Sequence, residues 1–327
     1  MSYEAAAAHL RENGNGSHLG YEEQTEAIMQ DRIFPDTPFL NVWSIWVWFI
    51  IAALGNAAEG HSMIPDTFDS EVNLVRETRD GHVAHHVWAS AELAEQLVCE
   101  GSPENLALAE RIIAAVLNCQ ERDPSDAHYG NYYRTLEKRV VEDLNAVAFV
   151  QRYLLPMVIR HADRLTEATR QQLTESLRIG CDEIRRMDVA VTYTNVAAMH
   201  ALSCCLGGEW LNDEALAQYG YEKLERLVTL TAENGTVYEF NSPIYVEVTI
   251  DSLHRLASLT RYVPARIQAQ TMLTRLALTT MLRLEPQTGY LTGPHSRATY
   301  DTTICAGQPE RDMFTDWVKS GVLPEWF

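Results

Sequence analysis

From residue 81 onward, apolar residues recur at helical spacing and the helical stretches come in pairs. The pattern predicts helices over about 81–100 and 103–120, 140–162 and 166–187, 190–206 and 212–233, and 245–262 and 264–284. Stop and start signals mark the breaks: Gly101-Ser102-Pro103, Leu165-Thr166-Glu167 and Gly207-Gly208. Residues 1–36 are polar and read as an arm, and residues 61–80 read as a loop around Pro65. No segment reads as a strand run. Pairs of about 45–50 residues indicate a helical-hairpin repeat, which an open solenoid and a closed toroid both satisfy.

The connectors separate these two architectures. Turns within pairs are short and plain, whereas two connectors between pairs are long and chemically rich. One holds Asp126-Ala-His-Tyr-Gly-Asn-Tyr132-Tyr133 and leads to Asp143 and Asn145. The other is Asn234-Gly-Thr-Val-Tyr238-Glu239-Phe-Asn241-Ser-Pro-Ile-Tyr245, with four groups able to transfer protons or hold hydrogen bonds. Two rich loops, each placed between successive pairs, suit a toroid whose connectors gather at one mouth of a central cavity. The expected fold is therefore all-α, an (α/α) toroid of five to six pairs over residues 37–300. An N-terminal arm (1–36) and a C-terminal tail (301–327) flank it.

Three further segments carry candidate chemistry. Tyr193-Thr194-Asn195 opens a helix, where Asn195 serves either as an N-cap or in a site. His200, five residues on, reads as a satisfied core histidine. Gly289 to Tyr300 holds His295, Arg297 and Tyr300 beyond the last regular helix, a concentration that favours function over a plain tail. Trp43 and Trp46 share a helix face in the apolar segment Phe39–Leu54, with core packing as the default and substrate stacking as the alternative.

Composition narrows the partners. Acidic residues outnumber basic ones 45 to 26, a net charge of −19, which opposes binding to nucleic acid or an anionic membrane. The segment 39–54 is short for a membrane span and has acidic flanks, so a buried helix is expected. The six cysteines show no CxxC pair and sit mostly in apolar helical settings, and the amino terminus has no secretory pattern. A reducing, cytoplasmic compartment is expected. His85 and His86 are neighbours on a predicted helix, and neither HExxH, GxGxxG nor GxxxxGK occurs, so neither a metal nor a nucleotide cofactor is expected.

With Asn195, the Gly235–Tyr245 segment and Gly293–Arg297 in view, the chain resembles the helical-toroid polysaccharide lyases: the chondroitin/hyaluronan, heparinase II/III-like and alginate lyase families. The resemblance covers about residues 80–300. It implies that Asn195 neutralises a substrate carboxylate, that Tyr245 is the catalytic tyrosine and that Arg297 is the supporting arginine. Glu239 or Asn241 stands where those lyases usually carry a histidine, and the β-sandwich that commonly follows their toroid has no counterpart.

The expected activity is a cofactor-free lyase that eliminates a C–O bond from a saccharide or small molecule. Tyr245 with His295 or Glu239 would move protons, and Asn195 and Arg297 would stabilise the enolate-like charge. Asn241, Tyr238, Tyr193, Asp143, Asn145, Tyr132, Trp43 and Trp46 are expected to bind substrate. The alternatives are a dehydratase, isomerase or cyclase of a hydrophobic metabolite using Glu239 and Asp143, a two-carboxylate glycoside hydrolase, and a helical-repeat binding module. The oligomeric state is left open.

Overall fold

The computed structural model describes residues 64–79, 81–242, 244–285 and 290–297. Trp43, Trp46, the arm and the tail lie outside these residues. The described chain opens with an antiparallel sheet in the order β1-β2-β3, formed by β1 (Phe68–Asp69), β2 (Leu74–Arg79) and β3 (His82–His86). Val75 faces His86 and Arg79 faces His82 across the β2–β3 hairpin, which turns at Gly81 with a φ of 77°.

This sheet corrects the expectation of a loop over 61–80, of a helix from 81 and of no strands. The physical reason lies in what holds the sheet. Leu74 alone of β2 has a buried apolar side chain, and residues 76–78 are exposed, so no alternating apolar pattern exists to be read. The backbone ladder secures the hairpin instead, helped by the Val75 N–H donating to Ser90 Oγ at 2.8 Å. His85 and His86 consequently point to opposite faces of a strand. His85 lies between Glu137 (2.5 Å) and Asp69 (3.2 Å), and His86 packs edge-on against Trp88.

Eight α-helices follow among the described residues, giving the all-α character expected: α1 (Val87–Glu100), α2 (Pro103–Leu117), α3 (Ala146–His161), α4 (Glu167–Met187), α5 (Thr194–Leu211), α6 (Glu214–Asn234), α7 (Tyr245–Leu259) and α8 (Val263–Met281). They form four hairpins. The odd helices pack in series, α1 on α3, α3 on α5 and α5 on α7, and the even helices pack in a second series, α2 on α4, α4 on α6 and α6 on α8. A short hairpin of β4 (Leu284–Glu285) and β5 (Tyr290–Leu291) comes after α8. No helix among the described residues is long and apolar enough to cross a membrane.

Local chemistry explains the helix ends. Thr166 Oγ1 caps α4 by accepting from Thr169 N–H, and Asp213 caps α6 by accepting from Leu216 N–H. Helix α3 begins at 146 rather than 140 because Asp143 accepts the Asn145 and Ala146 N–H groups and folds residues 143–146 into a turn.

Gly207 and Gly208 do not break a helix as expected. They lie within α5, which is buried from Thr194 to Gly208. A Cβ on Gly208 would meet Ala217 N at 2.3 Å, and one on Gly220 would meet Cys205 N at 2.4 Å. The glycines let the backbones of α5 and α6 approach closely, a requirement that outweighs their low helix propensity.

Candidate acid-base site at the connector end

Every connector between hairpins leads into the N-terminus of an odd helix, so these connectors meet at one end. Asn145, before α3, reaches the Tyr193 hydroxyl at 3.5 Å. Glu239, in the connector before α7, reaches the start of α5. The segment 292–297 lies against the Glu239 connector.

Glu239 is the centre of the cluster, with its side chain only 6% exposed. Its Oε2 accepts from the Asn195 N–H at 2.7 Å and from Thr194 Oγ1 at 2.9 Å. The carboxylate thus satisfies donors at the N-terminus of α5, where the helix dipole favours negative charge. Its Oε1 accepts from Arg297 Nη1 at 2.6 Å. No side chain of Tyr193, Thr194 or Asn195 caps α5, so the N-cap reading of Asn195 gives way to capping from a distant connector.

Arg297 sits between two phenol rings, its guanidinium carbon 5.0 Å from the Tyr193 ring centre and 4.2 Å from that of Tyr245. Burial opposes its charge, but a hydrogen bond with Tyr193 and the nearby Tyr245, Tyr193 and Glu239 outweigh it and raise its pKa. The Asn195 side chain is different: Oδ1 and Nδ2 are both buried without a hydrogen-bond partner, in a residue 1% exposed. A buried polar group left unpaired costs about 1–3 kcal/mol, so this amide calls for an explanation.

Asn241 has a different role from the one expected. With φ at 53°, it donates from Nδ2 to Thr292 O (2.7 Å) and Pro294 O (3.0 Å), fastening the segment that carries Arg297. His295 Nδ1 approaches Asn241 O at 3.1 Å, and since a carbonyl only accepts, Nδ1 is the donor. A neutral imidazole then keeps its lone pair on Nε2.

The other expected residues divide. Asp143, Asn145 and Tyr193 line an open cleft of about 740 Å³ together with Arg134, Met187 and Val189. Tyr193 belongs both to this cleft and to the Arg297 cluster. Tyr245 is partly buried beside Arg297, while Tyr238 is 52% exposed. Tyr132 is corrected: it is fully buried, its hydroxyl 2.6 Å from Ser176 Oγ, because its connector folds back into the core. His200 is buried as expected but not satisfied, since neither ring nitrogen has a partner. Burial and the nearby Lys223 lower its pKa to about 3.

Thr194, legible in the sequence only as a possible N-cap, donates to Glu239 instead, and Arg134 in the cleft carries no sequence signal. Residues 58–306 match a family described as Domain of unknown function (DUF8769), and the chain belongs to that family. No curated protein and no solved structure matches the chain.

Proposed function

We propose that this member of the family is a lyase that eliminates a C–O bond at the connector-end cluster, with its hairpins arranged as part of an (α/α) toroid. The observation that carries this reading is the meeting of Glu239, Arg297, Tyr193, Tyr245 and Asn195 from three separate parts of the chain. The unpaired Asn195 amide supplies a donor for substrate, and the Arg297 guanidinium supplies fixed positive charge.

A base removes a proton next to a substrate carbonyl or carboxylate. The electron pair moves to form an enolate-like anion, which Arg297 and Asn195 stabilise. Collapse of that anion forms a C=C bond and breaks the C–O bond, and an acid protonates the departing oxygen. Tyr245 is assigned to proton transfer with His295 Nε2 as its partner, while Glu239 holds Arg297 and the start of α5 in place. Asp143, Asn145 and Tyr193 would bind the remainder of the substrate in the cleft.

A second reading is a dehydratase, isomerase or cyclase acting on a largely apolar metabolite. Leu144, Met187 and Val189 in the cleft lining favour it.

The test is formation of an unsaturated product from candidate uronate-containing and hydroxylated substrates. Tyr245→Phe and Asn195→Ala should both abolish it while the fold is retained by circular dichroism. Undiminished turnover in both variants would remove the assignment.

A further inference from the structure

Two clusters of charge lie outside the residues above. In the first, Asp251 on α7 accepts from Arg255 Nε at 2.8 Å and pairs with Arg152 Nε of α3 at 3.2 Å. Arg255 Nη1 donates to both oxygens of Glu95 on α1, at 2.6 and 2.8 Å, and Glu92 is hydrogen-bonded to Tyr153. These groups clasp α1, α3 and α7 together and serve as a fastening between helices.

The second cluster lies where the sheet meets the cleft. His85 Nδ1 is 2.5 Å from Glu137 Oε1 and its Nε2 is 3.2 Å from Asp69 Oδ2, with the imidazole 13% exposed. Asp69 is held ionised by the Glu71 N–H and by His85. Burial opposes the charge of Glu137, but hydrogen bonds from His85 outweigh it and lower its pKa. An ionised carboxylate only accepts hydrogen bonds, and a neutral imidazole has a single N–H. Both contacts are therefore satisfied only by the imidazolium ion, since a neutral ring would turn its lone pair on one carboxylate. The neighbouring charges do not replace it. Arg76, opposite His85 on β2, acts on Asp69, Glu77 pairs with His86 at 3.5 Å, and Lys138 pairs with Glu142 at 2.7 Å.

Glu137 belongs to a stretch that runs beside β3 and on to the cleft. The Val87 N–H donates to Arg134 O at 3.2 Å, the Leu136 N–H to His85 O at 3.1 Å and the His85 N–H to Glu137 Oε2 at 3.0 Å. Arg134 lays its guanidinium over the Trp88 ring, 5.2 Å from its centre, and lines the cleft together with Glu142. Few backbone bonds hold this stretch, so the side-chain contact of Glu137 with His85 carries weight.

We propose that the charged His85 side chain is a pH-sensitive latch that holds residues 134–142, one wall of the cleft, against the sheet. Burial disfavours the imidazolium, but Glu137 and Asp69 outweigh it and raise the His85 pKa above its ordinary 6.5. The latch is fully engaged below pH 6.5 and is released as pH rises through the raised value. By linkage, each unit of that rise increases the open population about tenfold once the ring is neutral. The proposal rests on the cleft and not on the elimination reaction, and its readouts involve no turnover.

The full chain is followed by NMR between about pH 5.5 and pH 9. The His85 ring protons should titrate with a midpoint above 6.5. Exchange of the Leu136 amide, corrected for its intrinsic base catalysis, should accelerate with that same midpoint, while that of Ile112 in the core of α2 stays constant. The Arg134 Nε proton, shielded by the Trp88 ring, should move downfield over the same range. His85→Gln, which cannot carry charge, should remove the step in Leu136 exchange while circular dichroism shows a folded chain. A His85 midpoint at or below 6.5, or Leu136 exchange that ignores the titration of His85, would overturn the proposal in the unmutated protein alone. Persistence of the step in His85→Gln would do the same.

Discussion

The Glu239 and Asp251 clusters each hold a carboxylate against arginine, but they are built differently. Glu239 comes from a connector and takes two of its three partners from the first residues of one helix, Thr194 and Asn195. Arg297, its third partner, is 40% exposed and rests on phenol rings. Asp251 comes from a helix face and meets only side chains, Arg152 and Arg255, whose own exposures are 7% and 15%. A connector can aim a carboxylate at backbone donors, which are fixed by the helix they belong to. A helix face offers only side chains to its neighbours, so its charges balance one another or remain unpaired. The first arrangement fixes a connector against the start of a helix, and the second fixes helix against helix.

The largest effect that would sharpen this contrast is expected from Asp251→Ala. It leaves the buried Arg152 guanidinium without its ion-pair partner, while Arg255 keeps Glu95, and should cost about 3–5 kcal/mol in urea unfolding. Glu239→Ala leaves the Asn195 N–H and the Thr194 hydroxyl without their acceptor and should cost less, about 1–3 kcal/mol. Loss of the Arg297 pair adds little, because solvent screens that half-exposed group. A larger loss for Glu239→Ala than for Asp251→Ala would reverse the comparison and make the connector the principal fastening.

His200, buried on α5 and paired with neither cluster, tests whether charge can be accommodated outside them. Its folded pKa is about 3 against an ordinary value of 6.5, so the unfolded chain takes up the proton first as pH falls. The stability it contributes is therefore complete above pH 6.5 and is lost progressively on acidification towards pH 3. The expected slope is about 1.4 kcal/mol per pH unit. His200→Leu should flatten the stability profile in that window, and an unchanged slope would show that the ring finds a partner on protonation. The smallest effect on stability is expected from Tyr245→Phe, within about 0.5 kcal/mol, since the phenol ring and its contact with Arg297 remain. Its catalytic effect should be complete loss of product.

The four helical hairpins and most of their limits were legible because helices such as α4 and α7 bury one face and so write their own period, while start and stop residues mark the ends of the rest. The Glu239 connector was legible for a related reason: Tyr238, Glu239, Asn241 and Tyr245 are too much chemistry for a turn that merely reverses the chain. The β1–β3 sheet was not, because exposed, charged β2 lacks an alternating pattern. Asn241 and Tyr132 were read as ligand-facing because residue type alone does not show what occupies an amide or a hydroxyl. Asn241 is occupied by two backbone carbonyls and Tyr132 by Ser176. The Asp251 cluster left no signal, since Glu92, Glu95, Arg152 and Arg255 each resemble ordinary charges on a helix.

The sequence by itself determined the helices, their pairing and the concentration of proton-handling groups in one connector and one late segment. These are local properties, set by the spacing of apolar residues and by the chemistry of short turns. Only the tertiary structure decided which charges meet. Glu95 and Arg255 are 160 residues apart, and their pairing depends on how α1 and α7 are brought together. That arrangement also leaves Asn195 and Arg152 with unpaired donors, which packing alone reveals.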